Sequence, residues 1–142
     1  MKVAVALSGG VDSAVSAVIL KEAGYEVVGV MMRLWKMDGR YSGREACFSP
    51  DKEKDIASAA ELAKKIDIPF EVVDCANEFE DFILKYFRSE LGIGRTPNPC
   101  VECNRLMKFG LLLDTVKKKF AFDKYATGHY ASVTQVDGRF IL

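Results

Sequence analysis

Residues 6–13 read Ala6-Leu7-Ser8-Gly9-Gly10-Val11-Asp12-Ser13. They close a short apolar run, residues 3–7, and open a stretch with helical spacing. Two glycines and two serines at a strand-to-helix turn let backbone N–H groups and hydroxyls converge on an anion. The positive end of the helix dipole faces the same point. The turn therefore reads as a cradle for the phosphates of a nucleotide. The plainer alternative is an ordinary βα connection, normally about 2–6 residues long. The turn lacks the Lys-Ser/Thr pair of the Walker loop and the third spaced glycine of the dinucleotide fingerprint.

Outward from this turn, strands and helices alternate. Val11, Val15, Val18 and Ile19 follow a helical face, and Gly24 supplies a C-terminal cap. Residues 25–32 are valine-rich and read as a second strand, and residues 33–50 as a polar loop. Ser49 and Pro50 suit the cap and first position of a helix whose face is Ile56, Ala59, Ala60, Ala63 and Ile66. Residues 69–74 form a third strand. Asn77 and Glu80 have capping-box spacing ahead of a stripe of Phe79, Phe82, Ile83, Tyr86 and Phe87. A Gly/Pro-rich loop over 92–99 leads to a helix from about Val101 with Leu106, Phe109, Leu113 and Val116 on one side. Residues 125–127 make a short strand running into Gly128 and His129. Asp137-Gly138 between residues 132–136 and 139–142 is a hairpin signal.

Strands joined through helices imply a Rossmann-like α/β fold, a parallel sheet with helices on both faces, ending in the start of a β-hairpin. Ligands of such sheets sit at the carboxyl ends of the strands. Residues 8–13, 31–32 and 128–129 all fall there. The expected division is one domain over 1–131 and the start of a further β segment over 132–142, as if cut from a longer chain.

The 142 residues carry 20 basic and 20 acidic side chains. Zero net charge does not advertise a nucleic-acid binder. The distribution is uneven: Arg88, Arg95, Arg105, Lys108, Lys117, Lys118 and Lys119 face only three acidic residues between 88 and 119, and Arg33, Lys36, Arg40 and Arg44 form a second cluster. These are either solvated faces or phosphate-contacting patches. No run is long and apolar enough for a bilayer, and the N-terminus reads as a strand, not a signal peptide, so the expectation is a cytoplasmic protein without a membrane partner. Cys47, Cys75, Cys100 and Cys103 then favour thiol or metal chemistry over disulfides.

Residues 98–104 read Asn98-Pro99-Cys100-Val101-Glu102-Cys103-Asn104. The prolines at 97 and 99 hold the approach extended. Cys103 is expected in the first turn of a helix, where free N–H groups and the dipole favour a thiolate, and Arg105 and Lys108 follow. Cys100 and Cys103 are also half of a metal site, with Cys47 or Cys75 as unsupported further ligands. Cys75, after a strand, reads as a buried or edge thiol.

With both sites in hand the chain resembles the tRNA-specific 2-thiouridylases, a family of PP-loop ATP pyrophosphatases with an adenine nucleotide α-hydrolase-like fold. The matching pieces are residues 6–13, Val28-Gly29-Val30-Met31-Met32, Gly94-Arg95-Thr96-Pro97-Asn98-Pro99, Cys103-Asn104, Lys108-Phe109 and Ala126-Thr127-Gly128-His129-Tyr130-Ala131. The resemblance implies ATP held by Ala6, Leu7, Ser8, Gly9, Gly10, Val11, Asp12 and Ser13, with Met32 at the adenine and Gly128 lining the nucleotide. It implies Asn98, Pro99 and Cys100 against the target base, Cys103 as nucleophile and His129 near tRNA. Asp12 would orient Mg²⁺ on the departing pyrophosphate. A sulfur-carrier protein or other sulfur donor is the second implied partner. The family pattern has aspartate where this chain has Cys100, which keeps a [4Fe-4S] cluster at Cys100 and Cys103 as an alternative. The family's second reactive cysteine lies farther along than residue 142. A non-catalytic ATP-binding module would leave residues 94–104 unexplained, and an amidating synthetase gives the cysteine pair no task.

Overall fold

The computed structural model describes residues 1–34 and 52–141. Most of the expected loop over 33–50, the Ser49-Pro50 helix start, Cys47 and three members of the second basic cluster lie outside them.

Strands β1 (Lys2–Ala6), β2 (Glu26–Arg33), β3 (Phe70–Asp74) and β4 (Lys124–Thr127) form one parallel sheet in the order β3-β2-β1-β4. Alternation along the strands splits the core in two. Val3, Val5, Leu7, Val27 and Met31 face α1 (Val11–Glu22) and α2 (Lys52–Lys65), meeting Ala17 and Ala59. Ala4, Val28, Val30 and Met32 face the other way, onto Phe79, Ile83, Met107, Leu112 and Val116. Both faces of β1 and β2 are covered, which is why they read as continuous apolar runs. Chain order reverses between β1 and β4, so the switch point lies at their carboxyl ends.

The opposite layer is built from two helical runs. The first joins α3 (Ala76–Phe79), a π-helical stretch π1 (Glu80–Leu84) and α4 (Lys85–Gly92). The second joins α5 (Pro99–Glu102), π2 (Cys103–Leu111) and α6 (Leu112–Phe120). A separate antiparallel hairpin, β5 (Thr134–Val136) and β6 (Arg139–Ile141), turns at Asp137 and Gly138, whose φ angles of 49° and 75° suit a type I′ turn.

Four local expectations are corrected. On α1 the buried residues are Ser13 and Ala17, while Val11, Val15 and Ile19 face solvent. Small side chains let this helix approach the sheet closely, and that outweighs the apolar stripe. The Asn77/Glu80 capping box does not form, because the helix begins at Ala76, whose N–H donates to Asp74 Oδ1 at 3.1 Å. Phe82 is exposed while Phe79 and Ile83 are buried, since bonding to the fifth residue widens π1 and swings Phe82 outward. For the same reason the core face of the last helical run is Cys103, Met107, Leu112 and Val116, with a five-residue step from Met107 to Leu112. A 3.6-residue period misses that step, and Phe109 ends up exposed.

Candidate active site

The glycine turn is shaped by its own hydroxyls. Gly9 takes φ +83°, a left-handed conformation that favours glycine, and a Cβ there would stand 3.1 Å from Asp55 Cβ. Ser13 is the one buried polar side chain among the described residues. Its Oγ accepts from the Ser8 N–H at 3.1 Å and donates to the Gly10 carbonyl at 3.0 Å. The Gly10 N–H reaches Ser8 Oγ at 3.3 Å. No side chain caps α1, so its positive end stays available to a ligand.

The facing wall follows β4. A Cβ on Gly128 would come within 2.7 Å of the Ser13 nitrogen and 2.9 Å of the Asp12 carbonyl carbon. Only glycine lets the two backbones meet at this distance. Next to it, the Tyr130 hydroxyl donates to Asp12 Oδ1 at 2.8 Å, and the carboxylate pushes this phenol above its ordinary pKa. The His129 Nδ1 lies 2.8 Å from Thr127 Oγ1, and its ring rests beside Phe109 with centroids 6.0 Å apart. These contacts fix the direction of an exposed imidazole.

Between the walls lies a cleft at the switch point. Ala6, Leu7, Ser8, Asp12 and Ser13 line one side, Gly128 and His129 the other, and Met32 the floor. Lys108 and Leu112 close it from the helical run opposite. Eight of the expected site residues are thus brought together. Gly9, Gly10 and Val11 line a neighbouring hollow against α2, beside Ala59 and Leu62.

The cysteine segment lies apart from the cleft lining. Asn98 caps α5, its side chain accepting from the Val101 N–H at 3.4 Å. Cys100, rather than Cys103, therefore occupies the first helical turn, and it is exposed. The Cys103 N–H is engaged within the helix, and its side chain is 8 % exposed in the core shared with Met32, Leu112 and Cys75. Burial, with Glu78 and Asp74 adding to it, pushes the Cys75 thiol up to about 12. Among the described residues no three His, Cys, Asp or Glu side chains converge on a metal position. The two thiols at 100 and 103 alone do not fit a four-ligand cluster.

Much of the first basic group is neutralised locally: Arg88 pairs with Glu80, Arg95 with Glu90, Arg105 with Glu102 and Lys119 with Glu71. Sequence reasoning missed the cleft positions of Lys108 and Thr127 and the contact of Tyr130 with Asp12. All three lie in stretches already singled out, and only their facing was hidden. Among the described residues no helix is long and apolar enough to cross a membrane.

An open parallel sheet with a glycine turn at its switch point and a glycine contact opposite defines the class, a doubly wound α/β domain. Two solved structures share this fold. One is glutamine-dependent NAD+ synthetase from Acinetobacter baumannii in complex with ADP, with TM-score 0.53 and 23 % identity over 87 % of this chain and 21 % of that one. The other is a predicted subunit of tRNA methyltransferase from Methanocaldococcus jannaschii, with TM-score 0.52 and 21 % identity over 91 % of this chain and 53 % of that one. The chain belongs to the tRNA methyl transferase HUP domain family, whose model matches residues 1–142. Relatives named tRNA-specific 2-thiouridylase MnmA are 46 % identical in Leptospira biflexa (99 % of this chain, 37 % of the relative) and 45 % in Endomicrobium trichonymphae (94 % and 38 %). The relative of that name in Clostridium perfringens is 46 % identical, over 99 % of this chain and 38 % of its own length. The chain thus spans under two fifths of the length of these curated relatives.

Proposed function

We propose that this chain is the ATP-using portion of a tRNA-specific 2-thiouridylase, with residues 1–131 as its ATP pyrophosphatase domain and 132–142 opening a further β segment. The observation that carries the reading is the convergence of Ser8, Asp12, Ser13, Met32 and Gly128, from three separate stretches, on one cleft. In the proposed reaction the C2 oxygen of the wobble uridine attacks the α-phosphorus of ATP and pyrophosphate leaves. Sulfur then attacks C2, the C2–O bond breaks and AMP departs. The base must be extruded for this, because C2 is inaccessible in a stack. The α1 start, including the Ser13 N–H, and the Ser8 hydroxyl hold the phosphates, Met32 and Gly128 bound the nucleoside, and Asp12 would hold a Mg²⁺ ion to neutralise the departing pyrophosphate. Asn98, Pro99, Cys100 and His129 face the tRNA, Cys103 is the nucleophile, and a sulfur-carrier protein or other donor supplies the sulfur.

Because Cys103 is buried, sulfur chemistry there requires its thiol to become accessible when tRNA binds. Methyl transfer, the activity in the family description, commonly uses a sulfonium donor without phosphates and leaves the glycine turn without a ligand. The proposed location is the cytoplasm, where ATP and tRNA are both available. The test is calorimetric ATP binding to this chain, joined to 2-thiouridine formation by the longer protein carrying Cys103→Ser. The expected result is lost thiolation with ATP affinity unchanged. Thiolation at the wild-type rate in the variant, or no ATP binding by the chain, would overturn the proposal.

A further inference from the structure

Building on the ATP reading of the cleft, we infer that Lys108 grips the nucleotide's phosphates and supplies the positive charge that the glycine turn lacks. Residues 6–13 contain no lysine or arginine, and their charged side chain is Asp12. The N–H groups of Ser8 and Gly10 are turned inward onto the turn's own hydroxyls. What remains is the Ser8 hydroxyl and the free N–H groups of the helix start, whose dipole is equivalent to about half a positive charge. A triphosphate carries several negative charges, and a Mg²⁺ ion held at Asp12 would meet only part of them.

Lys108 answers from the opposite wall. It is the one lysine or arginine that lines the cleft among the described residues, and it is half-buried. The π-helical stretch sets its place. Met107 and Leu112 are both anchored in the core, and Lys108 follows Met107 at the border of that face. Arg105, one turn earlier, is held by Glu102 at 2.6 Å, whereas Lys108 has no hydrogen-bond or ion-pair partner among the described residues. An ammonium on a flexible stem is a point charge that suits phosphate oxygens from several directions. A lysine brought from a distant helix would thus do the work that the Walker loop gives to a lysine within the turn.

The test is calorimetric titration of this chain and its Lys108→Gln, Lys108→Met and Lys108→Arg variants with ATP, AMP and adenosine. Losing a hydrogen bond to a charged group predicts about 10–100-fold weaker ATP binding in the Gln and Met variants. Adenosine binding should change by less than about threefold, and Arg should retain ATP to within about tenfold. ATP affinity unchanged in both neutral variants would overturn the inference and leave the ATP site standing; Lys108 would then face the RNA. An equal loss for ATP and adenosine in folded variants would also overturn it, because the side chain would be shaping the pocket. A wild-type chain that binds none of the three ligands would remove the ATP reading itself.

Discussion

Helix α1 and the helical run that starts at Pro99 both begin beside residues with chemistry to offer, yet they treat their first turns differently. At α1 no side chain caps the start, and the Ser8 and Ser13 hydroxyls order the turn instead. At Pro99 the Asn98 side chain takes one of the helix's own N–H groups, and the start lies away from the cleft. The first arrangement leaves a dipole for a ligand to complete. The second is locally satisfied, and its cysteines divide between solvent and core. A helix start is therefore a ready anion site only when the chain declines to cap it and another element faces it.

The largest expected effect comes from breaking the facing wall. Gly128→Ala places a methyl group against the Ser13 nitrogen, at a cost of about 1–3 kcal/mol in thermal unfolding. ATP affinity should fall by more than about tenfold. Wild-type affinity in this variant would show that the two walls are not clamped together. Asn98→Ala should behave oppositely, costing about 1 kcal/mol of stability with ATP affinity unchanged. If instead ATP binding fell, the second helix start would belong to the cleft after all.

Thiol reactivity sharpens the contrast between the cysteines. At pH 8 an alkylating agent should label Cys100 rapidly and Cys75 only after unfolding, as peptide mass spectrometry would show. Cys75 holds its proton more tightly in the folded chain, and so does Tyr125, which burial also pushes up to about 12. Their contribution to stability is complete below pH 9 and is lost as pH rises toward 12. Denaturant midpoints that stayed level across that window would contradict it. The smallest effect concerns the rim. In Asp12→Asn the Tyr130 phenol should titrate closer to its ordinary value, because the carboxylate that disfavours phenolate is gone; absorbance titration would detect this.

The parallel sheet, its strand spans and the cleft's main contributors were legible because β1, β2 and the glycine turn announce themselves locally. Met32 and Gly128 could be placed because parallel sheets bind at strand ends. The facing of helices was harder. Val11, Val15 and Ile19 look like a core stripe, but α1 turns Ser13 toward Gly128 and Ala17 onto the sheet, where small side chains allow close approach. Two π-helical stretches shift the buried positions away from a 3.6-residue period, so that period leaves out Met107 and turns Phe82 to the wrong side. No residue type marks such a stretch. A helix starting at Val101 puts Cys103 in its first turn, whereas capping by Asn98 moves the start to Pro99.

The Gly128 contact also fixes when the cleft can exist. One wall is made by residues 6–13 and the other by residues that follow β4, and the Lys2–Asp123 hydrogen bond that docks this strand beside β1 spans 121 residues. Such a distant pairing is among the slower events of folding, and synthesis delivers the glycine turn long before its counterpart. A nascent chain short of Thr127 owns half a cradle. Nucleotide therefore cannot chaperone the early sheet, and can reward only a nearly finished one.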